Sequence, residues 1–163
     1  MVKFVCDRGV SHEAVRQRRF SFGQSSTRYC NYSKDKFNNE VTFILPPWFK
    51  EREARSYSEE EVQEMLQREA ASKTEDRQFA LFLGSCLASE KMYMAAINNG
   101  FSPQQARQYL NHAVMTELVV TGFAEDWRHF FNLRSVGITG APHPSIEQLA
   151  TPLYEEFKVR LYV

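Results

Sequence analysis

Residues 16–29 of the chain read RQRRFSFGQSSTRY. The stretch combines four arginines with three serines, one threonine and several aromatic side chains. Guanidinium groups bind phosphate oxygens through paired hydrogen bonds, and neighbouring hydroxyls add neutral donors. Aromatic faces can stack on a planar base or ring. The composition suits a nucleotide site, although a solvated Arg-rich helix end leading into a polar strand would have the same composition.

Upstream of this stretch, the sequence predicts a strand followed by a helix. Residues 2–6 are apolar and β-branched, which is typical of a short strand. Gly9 predicts a turn, and Ser11 predicts the N-cap of a helix that carries Glu13 and Arg16.

Downstream, three segments favour extended structure. Residues 20–32 are rich in Ser, Gln and aromatics and are more extended than helical in pattern. Residues 41–45 predict a second strand, which the following Pro46 and Pro47 end. Residues 113–121 contain β-branched residues and could form a strand or continue a helix.

The remaining segments show helical spacing. Ser58 and Glu61 form a capping box that opens a helical region reaching about residue 98, which the polar residues 72–74 could divide in two. Gly100 is expected to end that region. Further helices are predicted to begin at Ser102, Ala124 and Pro144. The chain is therefore predicted to be mixed α/β, with a few-stranded sheet, long flanking helices and a single domain over residues 1–163.

Composition narrows the class of protein. Apolar residues make up 43% and charged residues 25% of 163 residues, as in globular domains. Lys plus Arg equals Asp plus Glu at 20 each, so no global field favours nucleic acid or an anionic membrane. No apolar run approaches the roughly 20 residues that cross a bilayer. We therefore expect neither a nucleic-acid nor a membrane partner.

The three cysteines, Cys6, Cys30 and Cys86, are far apart and lack metal-ligand spacing. They predict reduced thiols in a cytoplasmic protein without a bound metal. Cys30 lies nearest the Arg-rich stretch, but no neighbouring group would activate it as a nucleophile.

Two further arginines stand out. Arg107 is predicted to lie in a capped helix, and Arg134 follows an apolar run at the end of another. An Arg there is favourable for the helix dipole alone. Trp127, Phe130 and Phe131 are expected to be core residues rather than cofactor-stacking ones.

These residues resemble the signature of flavin-dependent thymidylate synthases, the thymidylate synthase complementing protein family. That signature is Arg-His-Arg, seven residues, then Ser, usually followed closely by Arg-Tyr; here Arg16, Arg18, Ser26, Arg28 and Tyr29 stand in register. CDRGVSHEAV upstream and CNYSKDKF downstream extend the similarity. SPQQARQYL resembles the family's Ala-Arg helix, and TELVVTGFAEDWRHFFNLRS its helix ending in Leu-Arg. The resemblance covers about residues 2–157.

The resemblance implies a homotetramer whose active sites are built from several subunits. An Arg-rich loop would hold dUMP beside FAD, and the product would be dTMP. Reduced flavin, regenerated with NADPH, would deliver a hydride, and methylene-tetrahydrofolate would supply the carbon. The family uses no cysteine nucleophile, which agrees with the cysteines here.

The resemblance also implies roles for residues by position. Arg134 would be catalytic, polarising the uracil of dUMP and favouring its N3-deprotonated form. The implied dUMP-binding residues are Glu13, Arg16, Gln24, Ser25, Ser26, Thr27, Arg28, Arg107 and Arg134. The implied FAD-binding residues are Arg16, Gln17, Arg18 and His129.

Three departures from the family pattern concern the flavin side. Gln17 replaces the middle His of the signature, and it cannot carry a proton as an imidazole can. Phe123, Ala124 and Glu125 stand where the family commonly has Asn, any residue, Arg. The family also commonly has a segment with a Thr-Pro-Phe-Glu-His motif before the first strand, and we expect a fold without it.

Three hypotheses stay open on the sequence. The first is a FAD-requiring thymidylate synthase. The second is a non-catalytic or degenerate dUMP-binding homologue with impaired FAD binding, which Gln17, Phe123 and Glu125 favour and Arg134 opposes. The third is a related flavoenzyme with altered chemistry on a pyrimidine nucleotide.

Overall fold

The computed structural model describes residues 1–71 and 73–160. Within these ranges the strands are β1 (Val2–Asp7), β2 (Ser21–Gln24) and β3 (Met115–Thr121). The α-helices there are α1 (Arg8–Ala14), α2 (Glu59–Arg68), α3 (Glu75–Asn98), α4 (Pro103–Ala106), α5 (Ala124–Phe131) and α6 (Pro144–Val159). The predicted mixed α/β class is confirmed. None of the helices in the described residues is long and apolar enough to cross a membrane.

The chain divides into two compact units. The first contains Met1–Ser25, Pro46–Trp48 and Met115–Val163, and the second contains Ser26–Leu45 and Phe49–Val114. The single domain expected over residues 1–163 stays a prediction.

The first unit is built on an antiparallel sheet with the strand order β1-β3-β2. In the register of the sheet, Phe4 lies opposite Leu118 and Phe22 lies opposite Val120. Alternate side chains of β1 and β3 are buried, as expected for strands with one face on a core. The predicted strand over residues 2–6 is confirmed, and the ambiguity over residues 113–121 is resolved in favour of a strand.

Helix α5 supplies the aromatic centre of the core of the first unit. Trp127, Phe130 and Phe131 are each no more than 2% exposed. The ring centroid of Trp127 lies 4.7 Å from that of Phe20 and 6.3 Å from that of Phe4. The prediction that the three α5 aromatics are core residues is therefore confirmed.

The second unit packs α2 against α3 and has its own core around Tyr93, which is fully buried. The Tyr93 hydroxyl donates to the carbonyl of Cys30 at 3.2 Å and accepts from the amide of Tyr32 at 3.3 Å. The capping box of Ser58 and Glu61 is confirmed at the start of α2. Gly100, at a φ of 87°, follows the end of α3 as predicted.

The predicted start of the first helix is wrong. Helix α1 begins at Arg8, because the carboxylate of Asp7 accepts a hydrogen bond from the amide of Val10 at 2.7 Å and caps it. Ser11 lies inside the helix and is fully buried, and Gly9 is helical rather than a turn. Arg16 lies beyond the helix, which ends at Ala14.

The predicted strand over residues 41–45 is also wrong. That segment forms only an isolated bridge between Phe43 and Val114. The amide of Val41 instead donates to the side chain of Glu90 at 2.7 Å. A side chain thus takes the place of a neighbouring strand at this point.

Two helix predictions are refined by the structure. Helix α2 ends at Arg68 and α3 begins at Glu75, which confirms the predicted division, although Ser72 itself lies outside the described residues. Helix α4 is only four residues long, and Arg107 lies in the following 3-10 turn, Arg107–Tyr109.

Candidate functional site

The structure pairs the predicted catalytic arginine with a predicted dUMP-binding carboxylate. Arg134 lies in a π-helical turn, Asn132–Val136, directly after α5, and the turn ends at Gly137 with a φ of 74°. The Nη1 of Arg134 donates to Oε1 of Glu13 on α1, 121 positions away. The two side chains are 20% and 28% exposed. Packing in the first unit therefore fixes this ion pair in a partly desolvated setting, where charge interactions are stronger than in water.

One donor of Arg134 has no acceptor. Its Nε is buried and forms no hydrogen bond within the described residues. A buried N–H without a partner is costly, because the group has lost its water and gained nothing. The guanidinium is thus held on one side by Glu13, while its Nε is enclosed without a partner among the described residues.

Gln24 and Ser25 are held rigidly at the end of β2. The side-chain amide of Gln24 donates to the buried hydroxyls of Ser11, at 2.7 Å, and Thr116, at 3.2 Å. The guanidinium of Arg8 donates to the carbonyl of Ser25 at 2.7 Å. These contacts place Gln24 and Ser25 in the same unit as Glu13 and Arg134.

Of the other predicted dUMP-binding residues, Arg16 lies in the first unit, and Ser26, Thr27, Arg28 and Arg107 belong to the second. The hydroxyl of Ser26 accepts from the amide of Arg28 at 3.3 Å, in a tight turn that also contains Thr27. The guanidinium of Arg28 lies 5.4 Å from the ring centroid of Tyr29. Arg28 and Arg107 are exposed, and neither forms an ion pair within the part of the chain described. Both are therefore cations available to a phosphate.

The four predicted FAD-binding residues all lie in the first unit. Arg16, Gln17 and Arg18 occupy the turns between α1 and β2, and His129 lies on the exposed side of α5. Arg16 and Arg18 are exposed and form no ion pair among the described residues. No hydrogen bond joins the four side chains to one another within residues 1–71 and 73–160.

Glu125, which departs from the family pattern, and its neighbour Asp126 lie in the first turn of α5. The carboxylate of Asp126 accepts from the amide of Phe123 at 3.1 Å, and Glu125 forms an ion pair with Arg128. Carboxylates are favourable at a helix N-terminus. Phe123 itself is 84% exposed, an unusual position for a large aromatic side chain.

The cysteine thiols are not arranged for catalysis. Burial raises the pKa of Cys6 to about 12 and that of Cys86 to about 11, so both are protonated at neutral pH. Cys30 is half-buried, and all three are free thiols. Among the described residues, no cluster of three or more His, Cys, Asp or Glu could hold a metal ion.

The sequence did not reveal the residues that support the site. Ser11 carries the pattern of a helix cap but instead accepts a hydrogen bond from Gln24. No local pattern marked Thr116 or Arg8 as a supporting residue. Thr116 accepts from Gln24, which is distant in the sequence, and Arg8 donates to a backbone carbonyl. The sequence also gave no sign of a cavity of about 420 Å³ in the second unit, which none of the predicted site residues lines.

Comparison with known proteins identifies the family. The family model described as thymidylate synthase complementing protein matches residues 1–161. The chain is 30% identical over 129 residues to the flavin-dependent thymidylate synthase of Pyrococcus furiosus, covering 79% of this chain and 43% of that protein. It is also 30% identical over 129 residues to the flavin-dependent thymidylate synthase of Mycobacterium avium, covering 78% and 46%.

A further relative, the flavin-dependent thymidylate synthase of Corynebacterium diphtheriae, is 29% identical over 133 residues, covering 78% of this chain and 45% of the relative. The chain thus spans somewhat less than half the length of the curated relatives it matches. The family match extends over nearly every residue and includes Glu13, the Arg-rich stretch and Arg134. The chain therefore belongs to the family of thymidylate synthase complementing proteins.

Proposed function

We propose that the protein is a flavin-dependent thymidylate synthase. It would methylate dUMP to dTMP, with methylene-tetrahydrofolate as carbon donor, reduced FAD as hydride source and NADPH as reductant. Family membership over residues 1–161 supports the assignment, and the relatives named above carry that activity in their names. The carrying observation in the structure is the partly buried Arg134, held in place by Glu13.

In this proposal Arg134 is the catalytic residue. A fixed cation in a partly dry site stabilises negative charge that develops on a ring, because it needs no reorganisation when the charge appears. The guanidinium of Arg134, whose side chain is 20% exposed, would donate to an oxygen of the uracil and favour its N3-deprotonated form. Glu13 would hold the guanidinium in place through Nη1.

The remaining nucleotide contacts combine cations with neutral donors. Arg28 and Arg107 would bind the phosphate of dUMP, since both are exposed cations without an ion pair in the described residues. We assign the other dUMP contacts to Arg16, Gln24, Ser25, Ser26 and Thr27. Gln24 is the best ordered of them, because two buried hydroxyls fix its amide.

The residues on the flavin side fit an anionic cofactor. Arg16 and Arg18 are exposed cations that could hold the diphosphate of FAD, with Gln17 and His129 as further contacts. The negative charge of Glu125 is already offset by Arg128. FAD, when bound, supplies the hydride; the side chains of this chain bind and orient it.

A direct test compares arginines of the same unit. Arg134→Lys keeps the charge but removes the planar fork of donors, so we expect dTMP formation to fall about 100-fold or more. Arg128→Lys, on the exposed side of α5, is the matched control and should change the rate little. The assay measures dTMP formed from dUMP, methylene-tetrahydrofolate, FAD and NADPH. Equal rates for the two variants would contradict the role of Arg134.

The second candidate is a dUMP-binding homologue with impaired FAD binding. It is favoured by Gln17, and by Phe123 and Glu125, which stand where the family commonly has Asn and Arg. The visible spectrum of the purified protein, followed by FAD titration with and without dUMP, separates the two. A yellow protein, or FAD binding strengthened by dUMP, supports the synthase; dUMP binding without FAD binding supports the homologue.

Restoring the family residues refines that comparison. Gln17→His combined with Glu125→Arg should raise FAD affinity sharply if the flavin site is a weakened version of the family site. Unchanged affinity would indicate a remodelled pocket and the third hypothesis, altered chemistry on a pyrimidine nucleotide.

We also propose that the protein acts in the cytoplasm as a homotetramer. The three free thiols fit a reducing compartment. Self-association is supported by α3, where Leu81, Ser85, Ala88 and Met92 form an exposed stripe at helical spacing. Leu81 is 50% and Met92 55% exposed, unusual values for large apolar side chains in a helix.

A further inference from the structure

The cavity of about 420 Å³ lies wholly within the second unit and is separate from every residue assigned to dUMP or FAD. Its walls come from residues 40–45, residues 53–57 and the facing sides of α2 and α3. The main apolar lining is Phe43, Leu45, Phe79, Phe82, Leu83 and Leu87. Both the volume and the aromatic lining are typical of small-molecule sites.

The only positive charge among the lining residues is already balanced. Arg55 donates to both carboxylate oxygens of Glu61, at 2.8 and 3.2 Å, and lies 3.3 Å from the carboxylate of Glu53. Its guanidinium also stacks over the ring of Tyr57, at 3.9 Å from the centroid. An incoming anion would therefore have to compete with two carboxylates for this arginine.

Two negative charges on the lining are not balanced in this way. Within the described residues, neither Glu40 nor Glu90 forms an ion pair. Glu90 projects from α3 and is half-buried, and one of its oxygens accepts from the amide of Val41 at 2.7 Å. Burial raises the pKa of Glu90 against the lowering effect of the Val41 hydrogen bond, and the nearby charge of Glu40 raises it further. A cation beside Glu90 would relieve both effects.

We propose that this cavity binds a small organic cation, an arylalkylammonium ion. Its ring packs against Phe79 and Phe82, and its ammonium group donates to the free oxygen of Glu90. Carboxylates can accept several hydrogen bonds, so the bond from Val41 leaves capacity for this contact. The apolar walls select for a hydrophobic body, and the unbalanced carboxylates select for positive charge.

The first experiment is calorimetric titration of the full chain with three probes of similar shape. Tryptamine is a cation, tryptophol replaces its ammonium by a hydroxyl, and indoleacetate is an anion. Tryptamine should bind about tenfold more tightly than tryptophol, the difference expected for a hydrogen bond to a charged group. Indoleacetate should not bind. Equal affinities for the three probes, or no binding by tryptamine, would overturn the proposal.

Variants of the lining residues test whether the probes bind in this cavity. Glu90→Gln keeps an acceptor for the Val41 amide but removes the charge, so tryptamine affinity should fall about tenfold while that of tryptophol stays unchanged. Glu64→Gln, an exposed position on α2 outside the lining, is the matched control and should change neither. Leu83→Trp fills the cavity and should abolish binding of both probes.

Unchanged tryptophol binding shows that the Glu90→Gln variant keeps an intact cavity, so loss of tryptamine affinity cannot be an effect of misfolding. If Glu90→Gln binds tryptamine as tightly as the parent chain does, the proposal is wrong. Affinity for dUMP and FAD, measured on the same variants, should not change, because none of the assigned nucleotide or flavin residues lines the cavity. The cavity and the proposed synthase activity are thus tested separately.

Discussion

The side chains proposed to bind the nucleotide owe their positions to residues that are distant in the sequence. Glu13 holds Arg134 across 121 positions, and Thr116 holds Gln24 across 92. Each contact is polar and at least partly buried, so each restricts a rotamer that would be free in solvent. This kind of support is what a preorganised site requires.

Gly122 shows how little space the core leaves at one position. A Cβ atom built there would overlap the ring of Phe20, whereas a Cβ at Gly23 would lie 4.0 Å from Cβ of Val119, an ordinary contact. We predict that Gly122→Ala destabilises the protein by about 1–3 kcal/mol through overpacking. Gly23→Ala, in the same unit, should change stability by less than about 0.5 kcal/mol.

Urea unfolding followed by circular dichroism measures both glycine variants. Equal midpoints would show that Phe20 moves aside without cost.

The family resemblance names candidate site residues, but it does not predict how their side chains are held. The resemblance pointed to Glu13 and Arg134, but no local pattern predicts that these two side chains form an ion pair. The hydroxyl of Ser11 is a clear example: its position before an apolar helical run is typical of a cap, yet tertiary contacts bury it against Gln24. Such pairings depend on folding and cannot be read from neighbouring residues.

Among the elements, α1 has the most consequence for the site, because it carries Glu13 close to its C-terminus. Its N-terminus depends on the carboxylate of Asp7, which accepts from the amide of Val10. We predict that Asp7→Ala destabilises the protein by about 1 kcal/mol, while Asp7→Asn, which keeps an acceptor, costs only a few tenths. Thermal unfolding of the three proteins measures the difference. A loss as large in Asp7→Asn as in Asp7→Ala would rule out capping as the role of this side chain.

Strand propensity alone does not determine which segments join the sheet, as a comparison of residues 41–45 with residues 113–121 shows. Both segments are rich in β-branched and apolar residues. Residues 115–121 become β3 because β1 and β2 flank them and use their backbone groups on both sides. Among the described residues, residues 41–45 have only the single bridge of Phe43 to Val114, and the amide of Val41 bonds to Glu90 instead. A strand needs a partner, which a single segment of sequence does not specify.

At the scale of the whole molecule, the exposed stripe on α3 gives a test of self-association. Met92 is 55% exposed, so the fold should tolerate the charge that Met92→Glu places on this stripe. If the stripe packs against a second copy, burying that charge is costly and the assembly should become smaller. Light scattering after size-exclusion chromatography measures the mass.

Gln63→Glu, an exposed position on α2, adds the same charge elsewhere on the second unit and serves as the control. An unchanged mass for Met92→Glu would show that this stripe is not the contact between copies.

The division into two units was not predictable from the sequence. Boundaries between compact parts usually fall in Pro- or Gly-rich linkers. Here one boundary falls between Ser25 and Ser26, inside the most distinctive motif of the chain. Another follows Val114, directly before β3, and of the boundaries only those around Pro46–Trp48, which begins with two prolines, follow the usual pattern. The mixed fold class was predictable because periodicity and capping signals are local, whereas the assignment of segments to units depends on long-range packing.

The place of β3 at the centre of the sheet has a consequence for biosynthesis. Within the described residues, β1 and β2 pair only with β3, and β3 ends at Thr121. A ribosome completes both outer strands well before it makes the one that joins them. Until then the nascent chain exposes unpaired strand edges, which are prone to aggregation and attract chaperones. Translation speed between β2 and β3 should therefore influence the yield of correctly folded protein.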